Sequence, residues 1–117
     1  MTDASYKRDL LPGALDLMVL HTLALEPLHT YALAARIQQQ SQERLQIEPA
    51  SLYPALQRLL KAGLVHAQWE ISPAKRNVRT YSLTEKGRRH FKREASKLQA
   101  MILGIRQVLA PLPEPQS

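Results

Sequence analysis

None of the 117 residues is cysteine. That absence excludes disulfides, thiolate zinc sites and cysteine nucleophiles, and it is compatible with a reducing cytosol. The histidines, His21, His29, His66 and His90, never pair one helical turn apart and have no carboxylate cluster beside them, so metal-ligand spacing is missing too. There is no glycine-rich phosphate loop and no serine–histidine–acid pattern. No catalysis, cofactor or metal is therefore expected. The richest apolar run, Ala14 to Leu25, is broken by Asp16 and His21 and is too short to cross a bilayer. The N-terminus carries Asp3, Lys7, Arg8 and Asp9 where a signal peptide needs an apolar stretch and a small-residue cleavage site. Together these absences predict a soluble, cytoplasmic protein with no membrane partner.

What is present suffices for one packed domain and not for two: 44% of residues are apolar and 22% charged. The formal charge is +6 and the pI about 10.0, and the cations are unevenly placed. Lys75, Arg76, Arg79, Lys86, Arg88, Arg89, Lys92 and Arg93 are half of the 16 lysines and arginines, and only Glu85 opposes them between residues 75 and 93. A charge run by itself reads as a solvated face. One that starts in a turn between strands also reads as a contact to phosphate.

Local signals divide the chain into a polar segment (1–11), a main domain (12–84), a long final helix (85–110) and a proline-rich tail (111–117) expected to be disordered. Pro12 suits the first turn of a helix that continues from Gly13 to Leu25 and is apolar around most of its circumference, as a core helix is. Glu26-Pro27 ends it. Thr30 is the expected N-cap of a second helix over 31–41, with Tyr31, Ala34 and Ile37 on one face. Leu45-Gln-Ile47 is a candidate short strand. A third helix runs from Ala50 to Ala62 and stops at Gly63. On a helical wheel Leu56, Leu59, Leu60 and Ala55 lie within about 80° of Leu52. Ala50, Pro54, Gln57 and Lys61 point the other way, flanked by Ser51, Tyr53 and Arg58. Pro54 is tolerated if it sits in the first turn.

Leu64–Ile71 and Val78–Leu83 read as two strands joined by the basic turn Ser72-Pro-Ala-Lys-Arg-Asn77. Trp69 is expected to pack at the strand–helix junction rather than to line a ligand pocket. Thr84 caps the last helix. In that helix Phe91, Ala95, Leu98, Ile102, Ile105 and Leu109 recur at intervals of four and three, a heptad seam about three repeats long. The stripe could lie on the chain's own first helix. It is more than about 25 Å long, which favours a second copy. The class is mainly α with a small β-hairpin (α+β): a winged helix-turn-helix followed by a long C-terminal dimerisation helix.

Leu11-Pro-Gly-Ala-Leu-Asp-Leu-Met-Val-Leu20, Leu28-His-Thr-Tyr31, Ser51-Leu-Tyr-Pro-Ala-Leu-Gln-Arg-Leu59, Gly63-Leu-Val65, Trp69-Glu70 and Tyr81-Ser-Leu-Thr-Glu-Lys-Gly87 occur in an order and spacing that resemble the PadR-like winged-helix transcriptional regulators. The Ser51–Leu59 segment is the most specific of these, and the resemblance spans about residues 11–90. It implies a homodimer joined through C-terminal helices, with paired recognition helices and wings, acting mostly as a repressor. The chain departs from the usual pattern at Thr30 and Ala32, where the family has glycines, and at Leu60, where it often has Glu. Some members bind flat aromatic effectors at the dimer seam. Phe91 is the one aromatic residue in this final helix, so that binding is not carried over.

The DNA-facing residues expected are Thr30, Tyr31, Ser51, Tyr53, Pro54, Gln57, Arg58, Lys61, Lys75, Arg76, Asn77 and Arg79. Gln57 can donate to and accept from adenine, and Arg58 and Lys61 beside it can reach guanine or phosphate. Ser51 and Tyr53 can bond phosphate at the start of the third helix. Tyr53 has an alternative, its ring filling the space between the second and third helices; Tyr31 has a similar one. Lys75, Arg76 and Arg79 are the wing cations. The reading is a double-stranded-DNA-binding regulator on a pseudo-palindromic operator. Two rivals stand beside it: a winged helix used as a protein-interaction module, and a ligand-sensing regulator whose effector, of unidentified chemistry, binds near the seam.

Overall fold

In a computed structural model of the chain, residues 13–114 are described; the polar segment and Pro12 lie outside them. The order is α1 (Ala14–Leu25), β1 (Leu28–His29), α2 (Thr30–Gln40), α3 (Pro49–Lys61), β2 (Val65–Ile71), β3 (Asn77–Leu83) and α4 (Glu85–Val108). The sheet is antiparallel throughout, with β3 in the centre between β1 and β2.

The core forms where the apolar residues of α1, α2 and α3 meet the inner end of the hairpin. Leu20, Leu33, Leu52 and Leu56 are fully buried there, with Val65 and Tyr81 from the strands. Leu60, where the family pattern often has Glu, packs against this cluster. Burying a leucine of this kind stabilises by roughly 1.5–3 kcal/mol, so these few positions decide whether the domain folds.

Gly13 opens α1 in a left-handed conformation, φ +79°, and its carbonyl accepts the Leu17 amide. α2 begins one residue earlier than the sequence suggested. Its cap is His29, whose Nδ1 accepts from the Ala32 amide at 3.3 Å. Thr30 is already helical and buried, so it does not cap. The reason is that Leu28 and His29 are held extended by pairing with Tyr81 and Thr80, which sets where the helix can start. This two-residue strand replaces the one expected at 45–47. Those residues form no ladder, and Ile47 fills the core instead.

α3 ends in a Schellman motif: the Gly63 amide donates to Leu60 O and the Leu64 amide to Leu59 O, with Gly63 at φ +73°. α4 is bolted to that end. Thr84 Oγ1 donates to Gly63 O (2.7 Å) while accepting the Gly87 amide (2.9 Å), and Lys86 Nζ donates to Ala62 O (2.9 Å). A cation on the last carbonyls of α3 also suits the helix dipole. Gly87 sits against the Leu64 carbonyl so closely that a side chain there has no room.

A candidate nucleic-acid interface

The inward stripe of α3 leaves Ala50, Pro54, Gln57 and Lys61 exposed on its opposite side, with Ser51 half-buried beside them. Because α3 starts at Pro49, Pro54 lies in the second turn rather than the first. The helix therefore forgoes the backbone bond that position would otherwise donate. Arg58 does not join this face freely: its Nη2 is 2.8 Å from Asp16 Oδ1 on α1.

The wing is a tight hairpin turn. Ser72 N–H donates to Arg76 O and Lys75 N–H to Ser72 O, both at 2.8 Å, while Ser72 Oγ accepts the Arg76 amide. Pro73 follows Ser72 in the turn, and Lys75 takes the left-handed position, φ +61°, where glycine is usual. A side chain there costs on the order of 1–2 kcal/mol. Lys75 and Arg76 stand exposed at the tip.

The strand register sorts the remaining residues. Val65–Leu83, Ala67–Tyr81, Trp69–Arg79 and Ile71–Asn77 face each other on one side of the sheet. The inner two pairs meet the core. At about 3.3 Å per residue, Trp69 stands roughly 13 Å beyond Val65, past the edge of that core. Trp69 is 67% exposed, so it does not pack at a strand–helix junction. Arg79 is not at the wing tip either. It is half-buried, its guanidinium carbon 5.9 Å from the Trp69 ring centre and 5.8 Å from that of Tyr81. Its Nε is buried without a hydrogen-bond partner.

Between α3, the hairpin and the start of α2 these side chains border a cleft of about 340 Å³, lined by His29, Thr30, Tyr31, Tyr53, Gln57, Trp69, Asn77, Val78, Arg79 and Tyr81. Six expected residues thus meet in one place, Thr30, Tyr31, Tyr53, Gln57, Asn77 and Arg79. Ser51, Pro54, Arg58 and Lys61 lie elsewhere on α3, and Lys75 and Arg76 at the tip. Thr30 is 6% exposed, which leaves its hydroxyl little access to a ligand, whereas Tyr31 is 69% and Tyr53 47% exposed. Tyr53, with about half its surface covered, borders this cleft together with Thr30 and Tyr31 from the start of α2. Trp69 is the residue that sequence reasoning misassigned. Its signal was present, because counting outward from the Ser72–Arg76 turn sets it opposite Arg79.

The heptad stripe of α4 divides in two. Phe91 and Leu98 pack partly against the chain's own core, and Ala95 between them is half-buried. Beyond them Ile102, Ile105 and Leu109 are 39%, 38% and 73% exposed. An apolar cavity of about 310 Å³ opens among α1, α2 and α4, bordered by Leu17, Met18, Ile37, Phe91, Leu98 and Ile102 among others. No helix among the described residues is long and apolar enough to cross a membrane, and none of their His, Asp or Glu side chains cluster as a metal site would require.

The profile of the Transcriptional regulator PadR-like family matches residues 19–93. Solved structures share the fold. A PadR-family transcriptional regulator from Eggerthella lenta is 27% identical with TM-score 0.73, the match covering 93% of each chain. A PadR-like regulator from Bacillus cereus is 20% identical with TM-score 0.71, over 87% of this chain and 97% of the other. Bacillus subtilis PadR, solved in complex with operator DNA, is 17% identical with TM-score 0.60, over 88% of this chain and 51% of the other. A comparison with curated proteins finds no match.

Proposed function

From the membership of this chain in the PadR-like family of transcriptional regulators, we propose that it is a sequence-specific binder of double-stranded DNA that acts as a homodimeric repressor. The observation that carries the reading is the uncovered polar side of α3, which the chain follows immediately with a basic-tipped hairpin. An α-helix fits the major groove, and side chains projecting from its outer face, here Gln57 and Lys61, meet base edges. Lys75 and Arg76 then lie along the phosphate backbone. That Bacillus subtilis PadR was solved on operator DNA supports a duplex as the partner.

Dimerisation through α4 is supported by Ile102, Ile105 and Leu109, whose exposure leaves a continuous apolar stripe facing water. Two-fold symmetry then calls for half-sites about one turn apart, ~34 Å. The apolar cavity among α1, α2 and α4 favours a second reading that is compatible with the first. At about 310 Å³ it reaches the lower size of small-molecule sites, so an effector against the middle of α4 would bias the spacing of the two α3 helices.

The test is fluorescence anisotropy with a labelled duplex from the region upstream of the gene, against a scrambled duplex, across a salt series. With about four phosphate contacts per subunit, affinity falls on the order of 10³-fold or more from low to physiological salt. A preference for the upstream duplex must survive that fall. Equal binding to both duplexes, lost at physiological salt, would leave only polyanion attraction and turn attention to a protein partner for α4.

A further inference from the structure

Resting on the DNA-binding reading, we propose that the cleft between α3 and the hairpin is a seat for one phosphate group of the bound strand, with Arg79 as its fixed cation and Trp69 as a wall. Three observations converge on it. The donors bordering the cleft are varied: the Arg79 guanidinium, the exposed phenols of Tyr31 and Tyr53, and the amide of Asn77. No carboxylate lines it, so nothing there competes for a guanidinium. Arg79 Nε is, among the described residues, the buried side-chain polar atom left without a partner. No hydrogen bond or ion pair among the described residues engages the guanidinium, so its outer nitrogens are the donors left for an acceptor oxygen in the cleft.

The shape selects the ligand. On a duplex the phosphates protrude while base edges are recessed in the grooves, so a cleft set back between two projecting elements can receive only the former. The Trp69 and Tyr81 ring centres, 5.9 and 5.8 Å from the guanidinium carbon, attract that charge and narrow where it can move. Arginine's forked donors then meet two oxygens of one phosphate at a set angle. This differs from the wing tip, where Lys75 and Arg76 are free to follow any phosphate. A seated phosphate locks the register of the helix, and Gln57, which borders the same cleft, is placed against one base step as a consequence.

The distinction is testable because lysine has no planar fork with which to pair two phosphate oxygens. Arg79→Lys should weaken binding to the upstream duplex about tenfold or more, close to the loss in Arg79→Gln, whereas Arg76→Lys should change it less than about twofold. Trp69→Ala should approach the Arg79→Lys loss, and Trp69→Phe should restore most of it. Far-ultraviolet circular dichroism and thermal melts establish that each variant is folded. The decisive arm uses the same duplex carrying a single neutral methylphosphonate linkage, moved along each strand in turn. One linkage in each half-site, the two related by the two-fold axis, should weaken the unaltered protein and leave Arg79→Gln unaffected. If the unaltered protein prefers its duplex but Arg79→Lys binds as well as it does, and no linkage is silenced by Arg79→Gln, the phosphate seat is wrong while DNA binding stands. If the unaltered protein shows no preference among duplexes, the functional reading itself has failed.

Discussion

Adding one methyl group to α4 should have opposite effects at two glycines of the same helix. At Gly87 a built Cβ falls on the Leu64 carbonyl oxygen, inside any permitted contact, and lies 2.8 Å from Leu83 Cδ1 and 3.0 Å from the Leu64 carbonyl carbon. Two of those atoms are backbone, so relief requires moving the start of α4 away from the end of α3. That motion strains the joint made by Thr84 with Gly63 O, Lys86 with Ala62 O and the Thr84 amide with Leu64 O. Losing two such bonds costs about 1 kcal/mol each, and the crowding adds roughly 1–3 kcal/mol. Alanine's better helix propensity returns about 1 kcal/mol. Gly87→Ala should therefore destabilise by about 2–4 kcal/mol and lower the melting temperature by roughly 10 °C or more. At Gly104 nothing lies within 4 Å of the added methyl. There the propensity gain stands alone, and Gly104→Ala should stabilise by about 1 kcal/mol. Urea titrations followed by circular dichroism at 222 nm, at one fixed protein concentration, read both values. An unchanged midpoint for Gly87→Ala would refute the close approach of α4 to Leu64. A loss at Gly104 would mean that something covers that face in solution, as a partner's helix would.

Other substitutions test the wing, the reading helix and the seam. Lys75→Gly should stabilise the fold by about 1 kcal/mol by removing a side chain from a left-handed position, while lowering the salt slope of DNA binding by about 0.9 per subunit; a loss of stability would overturn the turn geometry. Gln57→Ala should relax the sequence preference at one operator position, whereas Arg76→Ala should weaken every duplex alike. Identical behaviour of the two variants in a competition assay would end that division of labour. Ile105→Asp places a charge on the exposed half of the α4 stripe, so light scattering coupled to size exclusion should report monomers with an unchanged circular dichroism spectrum. Persistence of a dimer would move the interface off α4.

The elements that could be read along the chain were those whose cause is local. The α3 stripe of Leu52, Leu56 and Leu59 repeats within single turns, and Gly63 and Thr84 mark ends through their own backbone and hydroxyl chemistry. β1 was missed because two residues, Leu28 and His29, carry no periodicity; they are extended only because β3 lies beside them. The same pairing moved the α2 cap from Thr30 to His29. The Arg58–Asp16 pair was not legible because its members stand 42 residues apart in the chain.

Alternation and heptad spacing are properties of neighbouring residues, so the order of helices, the hairpin with its basic turn and the apolar stripe of α4 were determined by the sequence alone. How far each element outreaches the core is a property of the assembled domain. The strand pattern therefore put Trp69 on the core-facing side, and only packing left it in solvent, because the core ends before the strand does. The fold likewise sets Arg79 between Trp69 and Tyr81 and divides the α4 stripe into a covered and an open half. Such distances depend on where three helices and a sheet come to rest against one another, which no local stretch of sequence specifies.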